Sequence, residues 1–442
     1  MITIDQLTEG QKEAFEKAKE LILKADSQNG NYKASTKHLT INGPAGTGKT
    51  TMMKFLISWA RSQGITGMVL AAPTHQSKKV LANATGEEVS TIHSILRINP
   101  TTYEEKQFFE QKKTPDLQSC KVLICDEASF YNMKLFDILM NSIMPWTIVI
   151  SIGDKEQLRP SEDDGAISRF FTDQRFEQVH LTEVKRSNGP IIKVATEVRN
   201  GGWIRECIED NQGVFQNNSV KSFLDNYFKF VKHPDDLFET RGFAYTNKSV
   251  NKFNEIVRKI LYKTEYPFIK DEVLVMQAPL INSVKYEGKT YQEIIFNNGE
   301  LCRVVDVQET NKVLRCRGTD FKLDVNYFRL KLESIDNPGQ TEYINTIYSE
   351  QEQASFRYYM GKVVQQYKSG SSKAYWDDFW EIKNSFHDVK AIPFSTIHKG
   401  QGCTVDNSFL YTPCTVKNAE PDLAKQLIYV GLTRPRYNVH YV

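Results

Sequence analysis

Eight consecutive residues, Gly43-Pro44-Ala45-Gly46-Thr47-Gly48-Lys49-Thr50, match the pattern G-x-x-x-x-G-K-[ST]. Glycines at these spacings let backbone N–H groups wrap phosphate oxygens, and the start of a following helix adds its positive end. Lys49 then neutralises the β and γ phosphates of a nucleotide, and the Thr50 hydroxyl is a ligand for Mg²⁺. Gly43, Ala45, Gly46, Thr47, Gly48 and Thr51 complete the nucleotide contacts expected of such a loop. The alternative is a glycine turn with an exposed lysine, and a match of this length seldom arises by chance. Downstream, Val122-Leu123-Ile124-Cys125-Asp126-Glu127 is an apolar run ending in two acids. Asp126 is placed to hold the cation, and Glu127 to orient and deprotonate an attacking water. Adjacent acids at a strand end are ordinarily solvated turn residues; the phosphate loop upstream favours chemistry. Gln157, beyond the next apolar run, can hydrogen-bond both a γ phosphate and a water. The chemistry these residues describe is hydrolysis of a nucleoside triphosphate.

Such residues must sit at the ends of strands. Short apolar runs at His38 to Asn42, Met68 to Ala72, Lys121 to Cys125 and Thr147 to Ile152 alternate with amphipathic stretches, the pattern of a parallel sheet covered on both faces. Thr51 to Arg61 carries Met52, Phe55, Leu56 and Trp59 at helical spacing and stops near Gly64, giving strand, glycine loop and helix. A polar stretch from Gly213 to Ser219 is a candidate boundary before a second α/β segment that opens at Gly242. There a helix is expected to bury Val250, Phe253, Val257, Ile260 and Leu261 on one side. Between about 266 and 384 the text turns β-rich, with Asn297-Asn298-Gly299 as a hairpin signal, and then aromatic and helical from Phe356 to Trp380. An α/β pattern resumes at Ala391.

A length of 442 residues against roughly 150 per domain suggests about three folding units. Fifty-six Lys plus Arg against 54 Asp plus Glu leave a formal charge of +2, so contact with nucleic acid must be a local groove. Seven scattered cysteines without C-x-x-C indicate neither a disulfide framework nor a zinc ribbon, and a reducing cytoplasm is expected. With no leader pattern and no long apolar run, a soluble, unexported protein without a membrane partner is expected.

Gly153-Asp154-Lys155-Glu156-Gln157-Leu158-Arg159-Pro160 resembles motif III of superfamily 1 helicases, and the phosphate loop and acid pair are similar to their motifs I and II. Pro73-Thr74-His75 resembles motif Ia and Ser90-Thr91-Ile92-His93 the Ib region, both of which line the single-strand track in that family. An isolated histidine is more often structural, but one on this track can stack on a base and donate to phosphate. Leu181-Thr182-Glu183-Val184-Lys185-Arg186-Ser187 resembles motif IV, which makes Arg186 a γ-phosphate contact; Lys185 stands where many relatives carry an adenine-stacking aromatic residue. Ser395-Thr396-Ile397-His398-Lys399-Gly400-Gln401-Gly402 resembles motif V, with Thr396 and His398 near DNA and Gln401 near the nucleotide. Tyr429-Val430-Gly431-Leu432-Thr433-Arg434-Pro435-Arg436 resembles motif VI and gives Arg434 the arginine-finger position, with Pro435 replacing the usual small residue. Leu7-Thr8-Glu9-Gly10-Gln11 resembles the Q motif, in which Gln11 reads adenine; the same letters form a capping box.

Within superfamily 1, T-I-H-K-x-Q-G and the early Pro-Thr-His are similar to RecD-like enzymes, above all those of tailed bacteriophages. The resemblance implies an α/β fold of two RecA-like parallel-sheet motor domains, with a pin excursion in the first and an SH3-like β-barrel plus helical tower inserted in the second. The implied limits are 1–220 for the first motor domain, with the pin at about 96–116; 221–265 and 385–442 for the second; and 266–384 for the insert. Phe109 matches the pin position, although Phe108 and Phe109 would equally anchor the excursion to the core. It further implies an ATP- and Mg²⁺-dependent helicase that moves 5′ to 3′ on single-stranded DNA and unwinds forked duplexes, in phage replication or recombination in the host cytoplasm. Single-strand-binding and other replication proteins are candidate partners. Two rivals stand beside it. A small-molecule kinase shares the phosphate loop but has no need of motifs V and VI, and a nucleotide-switched DNA-binding ATPase that does not unwind has no need of Glu127.

Overall fold

The computed structural model describes residues 7–27, 37–103, 106–111, 114–160, 165–183, 189–286, 289–370 and 375–442, with backbone alone at 99–103, 106–110, 283–286, 289–293 and 370. The chain divides into two compact units, one of residues 1–231, 238–251 and 394–442 and the other of 232–237 and 252–393.

The first unit begins with α1 (Glu9–Ser27), β1 (His38–Asn42), α2 (Lys49–Ser62), β2 (Met68–Ala72), α3 (His75–Thr85), β3 (Val89–Thr91) and α4 (Ile92–Ile95). A hairpin of β4 (Ile98–Tyr103) and β5 (Lys106–Gln111) precedes β6 (Val122–Cys125), α5 (Met133–Ser142), β7 (Ile148–Gly153) and β8 (Phe176–His180). Apart from the hairpin these strands form one wholly parallel sheet in the order β3-β2-β6-β7-β1-β8. Every residue of β1, β6 and β7 is buried, as expected of strands covered on both faces. One face packs Leu39, Ile41 and Ile150 against Phe15 of α1 and Leu56 of α2; the other packs Leu123 and Val149 against Phe136 of α5.

A second sheet follows from α6 (Pro190–Arg199), β9 (Cys207–Glu209), β10 (Gln212–Gln216), α7 (Val220–Phe230), β11 (Thr240–Ala244) and α8 (Asn247–Leu261). The other unit then supplies β12 (Val273–Met276), β13 (Leu280–Tyr286), β14 (Lys289–Phe296), β15 (Leu301–Leu314), β16 (Leu323–Ser334), β17 (Thr341–Thr346), α9 (Glu350–Gly370), α10 (Trp376–Asn384) and β18 (Val389–Ala391). The chain returns through β19 (Phe394–Thr396), α11 (Ile397–Gly400), β20 (Val405–Tyr411), α12 (Pro413–Asn418), α13 (Pro421–Leu432) and β21 (Pro435–Tyr441). The second sheet has the order β19-β11-β20-β21-β10-β9, parallel except for β9. Laid over the first order, β10 stands where β1 stands, β11 where β2 stands, and β19 where β3 stands.

Three local expectations change. The polar stretch 213–219 is not a seam: it contains β10, whose Val214 is fully buried in the second core, and α6 packs there as well. The passage from one sheet to the other therefore lies between β8 and α6. Asn297-Asn298-Gly299 makes a turn, with the Glu300 N–H donating to the Asn297 carbonyl at 3.1 Å, but not a hairpin. Its flanking strands join different sheets, β14 pairing with β13 and β15 with β12 and β16. On α8, Val250, Phe253 and Val257 are buried as expected, whereas Ile260 is 52% exposed.

In the unit of residues 252–393, β17-β16-β15-β12-β18 form an antiparallel sheet. One core gathers Leu274, Phe296, Val304 and Leu330; another joins Leu314 and Val325 to Tyr359, Val363 and Tyr367 of α9 and Phe379 of α10. The aromatic run noted in the sequence thus packs its helices onto the end of the long β15–β16 ladder.

Candidate active site

The residues between β1 and α2 form the loop that the G-x-x-x-x-G-K-T pattern requires. Gly46 and Gly48 take left-handed φ values of 84° and 73°, and a Cβ on Gly48 would collide with the Gln11 amide. Lys49 Nζ donates to the carbonyls of Gly43 at 2.6 Å and Pro44 at 2.9 Å, so the amine rests on its own loop. Burial holds its pKa below the usual lysine range. Thr47 is fully buried, Ala45 and Thr51 are half-buried, and Thr50 is exposed on the first turn of α2.

Gln11 is 2% exposed and shows the capping box in full. The Thr8 N–H donates to Gln11 Oε1 at 3.0 Å, and the Gln11 N–H donates to Thr8 Oγ1 at 3.2 Å. Its Nε2 also donates to the Thr47 carbonyl at 2.8 Å. The side chain therefore braces the phosphate loop directly.

Asp126 and Glu127 follow β6, one strand removed from β1, with β7 between them. Asp126 is pushed up to about 7 by burial and by Glu127 beside it. Glu127 adopts φ 51°, ψ 52°, left-handed backbone that a non-glycine residue adopts only where its surroundings hold it. The loop after β7 presses on this turn, since a Cβ on Gly153 would come within 2.8 Å of the Ala128 nitrogen. That loop carries Asp154 and Gln157, both buried, and the Gly43 N–H donates to the Gly153 carbonyl at 3.0 Å. Phosphate loop, acid pair and Gln157 loop are thus in mutual contact at the carboxyl ends of neighbouring strands, where α/β sheets bind ligands.

Four residues of the second sheet's layer, Gln401, Gly402, Tyr429 and Arg199, reach the first sheet here. Gln401 Nε2 donates to Gln157 Oε1 at 3.1 Å, joining two residues chosen from separate motifs. Gly402, at φ 79°, sits where a Cβ would come within 2.7 Å of Ser77 Oγ on α3. Tyr429 of α13 accepts a hydrogen bond from the Ala45 N–H at 3.1 Å and donates its hydroxyl hydrogen to Asp154 Oδ2 at 2.6 Å. Arg199 Nη2 of α6 donates to the other oxygen of Asp154 at 3.3 Å. Neither Tyr429 nor Arg199 was singled out by the sequence; Tyr429 opens motif VI, but Arg199 lies in no motif and carries no signal.

Arg434 is differently placed from its expected role. It is 7% exposed, and its guanidinium donates to the carbonyls of Val430 at 3.0 Å and Cys403 at 3.5 Å and to Thr433 Oγ1 at 2.9 Å, all in the second sheet's own layer. Pro435 begins β21, a position a strand tolerates. Arg186 and Lys185 lie outside the described residues, as does the side chain of Phe109; the backbone places Phe109 opposite Pro100 in the β4–β5 hairpin.

The residues expected along a DNA strand fall at the carboxyl ends of β2 and β3 in the first sheet and of β19 in the second. Pro73 and Thr74 follow β2, and Thr74 Oγ1 accepts from the Ser77 N–H at 3.1 Å, capping the helix that His75 begins. Thr91 and Thr396 cap α4 and α11, each of which has a histidine, His93 or His398, at its second position.

Comparison with known proteins gives the same reading at the level of family. Residues 28–214 match the AAA domain model, and residues 265–391 match the Dda helicase SH3 domain. The chain is 48% identical over 450 residues to the ATP-dependent DNA helicase dda of Enterobacteria phage T4, covering 100% of both chains. It is 30% identical over 165 residues to the ATP-dependent RecD2 DNA helicase of Deinococcus radiodurans, over 37% of this chain and 22% of that one. Among solved structures, a Pif1 helicase from Bacteroides in complex with ADP-AlF3 and ssDNA matches with a TM-score of 0.50 at 18% identity, covering 100% of this chain and 92% of that one, a likeness of fold.

Proposed function

The chain belongs to the Dda family of superfamily 1 ATP-dependent DNA helicases, and from that premise we propose that it moves 5′ to 3′ along single-stranded DNA and splits forked duplexes, in phage replication or recombination in the host cytoplasm. The observation that supports a two-lobed motor is the hydrogen bond between Gln157 and Gln401, because it puts the nucleotide-end loops of both sheets in one contact, while the polarity and the pathway rest on the family alone. A motor needs nucleotide ligands from two bodies so that losing the γ phosphate releases one from the other.

In this reading the motor lobes are residues 7–183 and residues 190–265 with 385–442, and the segment 266–384 is the insert, its helices α9 and α10 forming the tower. Lys49 leaves the loop carbonyls for the β and γ phosphates, and Gln157 and Arg186 reach the γ phosphate. Glu127 takes the proton of the attacking water. Arg434 swings from its carbonyl partners to the phosphoryl group, while Gln401 and Gln11 approach the nucleotide. Hydroxyl and carboxylate oxygens such as Thr50 and Asp126 suit Mg²⁺, and a carboxyl group pushed up to about 7 by its surroundings gains most from a nearby cation. The ion would neutralise charge on the transferring group. Pro73, Thr74, His75, Thr91, His93, Thr396 and His398 line the strand, and Phe109 in the hairpin takes over stacking from the last base pair. Single-strand-binding proteins would supply or clear the track. Among the described residues no helix is long and apolar enough to cross a membrane.

The experiment is unwinding of forked duplexes that carry a single 5′ or 3′ tail, with ATP and Mg²⁺. Opening only of the 5′-tailed fork is expected. Preference for the 3′ tail would overturn the polarity, and DNA-stimulated ATPase without strand separation would leave a nucleotide-switched binding protein.

A further inference from the structure

Asp154 joins the Gln157 loop to two side chains of the second sheet's layer. It opens the turn after β7, is fully buried, and its Oδ1 accepts from the Glu156 N–H at 3.1 Å, which fixes the loop that presents Gln157. Two side chains of the second sheet's layer, Tyr429 and Arg199, end on the same carboxyl group. Arg199 Nε is buried without a hydrogen-bond partner, so this guanidinium is held there by Asp154 rather than by a network of its own. Tyr429 is the more informative of the pair. Its ring is 2% exposed, and its hydroxyl is saturated as donor and acceptor by two elements of the first sheet. Burial, together with Asp154, raises its pKa well above the usual phenol range, so it stays a donor at all working pH values.

We propose that Tyr429 is a positioning residue for ATP hydrolysis: its hydroxyl ties the last turns of α13 to the Ala45 amide of the phosphate loop and to the Asp154–Gln157 loop, and so sets where Arg434 is delivered. The geometry gives the route. Arg434, just beyond the end of α13, rests on the carbonyl of Val430, the residue after Tyr429, so the anchor and the carbonyl that holds the resting arginine are neighbours in the last turn of the helix. Any shift of the phosphate-loop amide when phosphate arrives is passed through one hydroxyl to that turn and, through Asp154, to the loop of Gln157. Without the hydroxyl, the phosphate loop still folds and Lys49 still meets the nucleotide, but the two catalytic side chains are placed independently.

This inference rests on Arg434 acting at the phosphoryl group, and the test separates the two. Tyr429→Phe keeps the buried ring and removes only the bridging oxygen. Single-strand-stimulated ATPase is measured for Tyr429→Phe, Arg434→Ala and the double variant, each well below its melting temperature. Misplacement by less than an ångström predicts a loss in kcat of about tenfold for Tyr429→Phe, with KM for ATP within about twofold of the parent. The double variant is expected to lose less than the product of the two single losses, because the share of Tyr429 that works by positioning Arg434 has nothing left to position, and only the share passed to the Gln157 loop remains. A merely structural tyrosine gives losses that multiply. Multiplying losses, a rise in KM in place of a fall in kcat, or parent-like kcat in Tyr429→Phe while Arg434→Ala is impaired would each overturn the inference. Parent-like activity in Arg434→Ala would instead remove the arginine-finger assignment and the inference with it.

Discussion

The two parallel sheets of the motor are alike at one edge and unlike at the centre. At the edge both carry the same four letters, Ser90-Thr91-Ile92-His93 across the end of β3 and Ser395-Thr396-Ile397-His398 across the end of β19. Thr91 and Thr396 have nearly the same backbone, φ −73°, ψ 144° and φ −69°, ψ 148°, and each hydroxyl accepts from the N–H three residues on, at 3.2 and 3.4 Å. One strand inward, Thr74 and Thr246 also match, capping α3 and α8. At the centre the likeness ends. β1 runs into the glycine loop and Lys49, whereas its counterpart β10 runs into Asn217-Asn218-Ser219, an ordinary capping box for α7. Two copies of one sheet thus kept the strand-end geometry proposed to grip DNA and kept the phosphate chemistry in one copy only, which is the minimum a two-handed motor with one fuel site requires.

The largest effect should come from breaking that central asymmetry. Lys49→Ala is expected to lower ATP turnover by roughly 100- to 1000-fold, the usual consequence of losing one group that stabilises developing phosphoryl charge. Single-stranded DNA binding should be largely kept. At the equivalent place in the second sheet, Ser219→Ala removes only an N-cap and should cost about 1 kcal/mol of stability with turnover unchanged. Steady-state ATPase and a denaturant titration of both variants measure the contrast, and near-parental turnover in Lys49→Ala would remove the phosphate-loop assignment.

A smaller effect tests a likeness hidden in the cores, where each sheet buries a histidine. His38 on β1 accepts from the Val149 N–H at 3.1 Å through Nδ1, so a proton there would set donor against donor. His440 on β21 is stacked between Phe215 and Phe409 at 4.7 and 4.6 Å, with both ring nitrogens unpartnered. Burial lowers each from 6.5 to about 4. Between these values the unfolded chain binds more protons than the folded one, so stability is whole above pH 6.5 and falls as pH drops towards 4. The loss reaches at most about 3 kcal/mol per histidine. His440→Leu should make the fall in unfolding midpoint between pH 7 and pH 4.5 smaller, leaving the shares of His38 and of His93, His387 and His398, which burial also lowers; an undiminished fall would mean that His440 does not titrate in this window.

The chemistry of the first sheet was legible because it is local. Gly46, Gly48 and Lys49 encode a loop by their own conformational needs, and the apolar runs at His38 to Asn42 and Met68 to Ala72 coincide with β1 and β2 to the residue. What was not legible depends on partners far along the chain. Whether 213–219 is linker or strand is decided by β21, more than two hundred residues later, and Asn297-Asn298-Gly299 has the letters of a hairpin turn but its flanking strands find other partners. Ile260 continues the apolar stripe of α8 past the last turn with anything to pack on. Gln11 could be read as cap or as adenine contact, and the structure shows the capping box together with a third use, bracing Thr47. Tyr429 has the composition of a core aromatic, and only the fold shows where its hydroxyl ends.

The smallest effect asks whether the matching edges are matching grips. If both histidines meet the strand, His93→Ala and His398→Ala should each weaken single-stranded DNA binding by about 1 kcal/mol, roughly fivefold, the low end for a base resting on an aromatic side chain. The threonine caps are untouched by these changes, so α4 and α11 should keep their placement. The two positions lie in different sheets, and their losses should add in the double variant to within about 0.5 kcal/mol. Nucleotide sharpens the test, because a motor that alternates its hold cannot rely equally on both grips in every state. Fluorescence anisotropy of a labelled oligonucleotide, without nucleotide and with a non-hydrolysable ATP analogue, should show the penalty shifting from one histidine to the other. A His398→Ala variant that binds like the parent in both states would confine the grip to the first sheet, and the shared tetrapeptide would then be a fold signature of strand and cap alone.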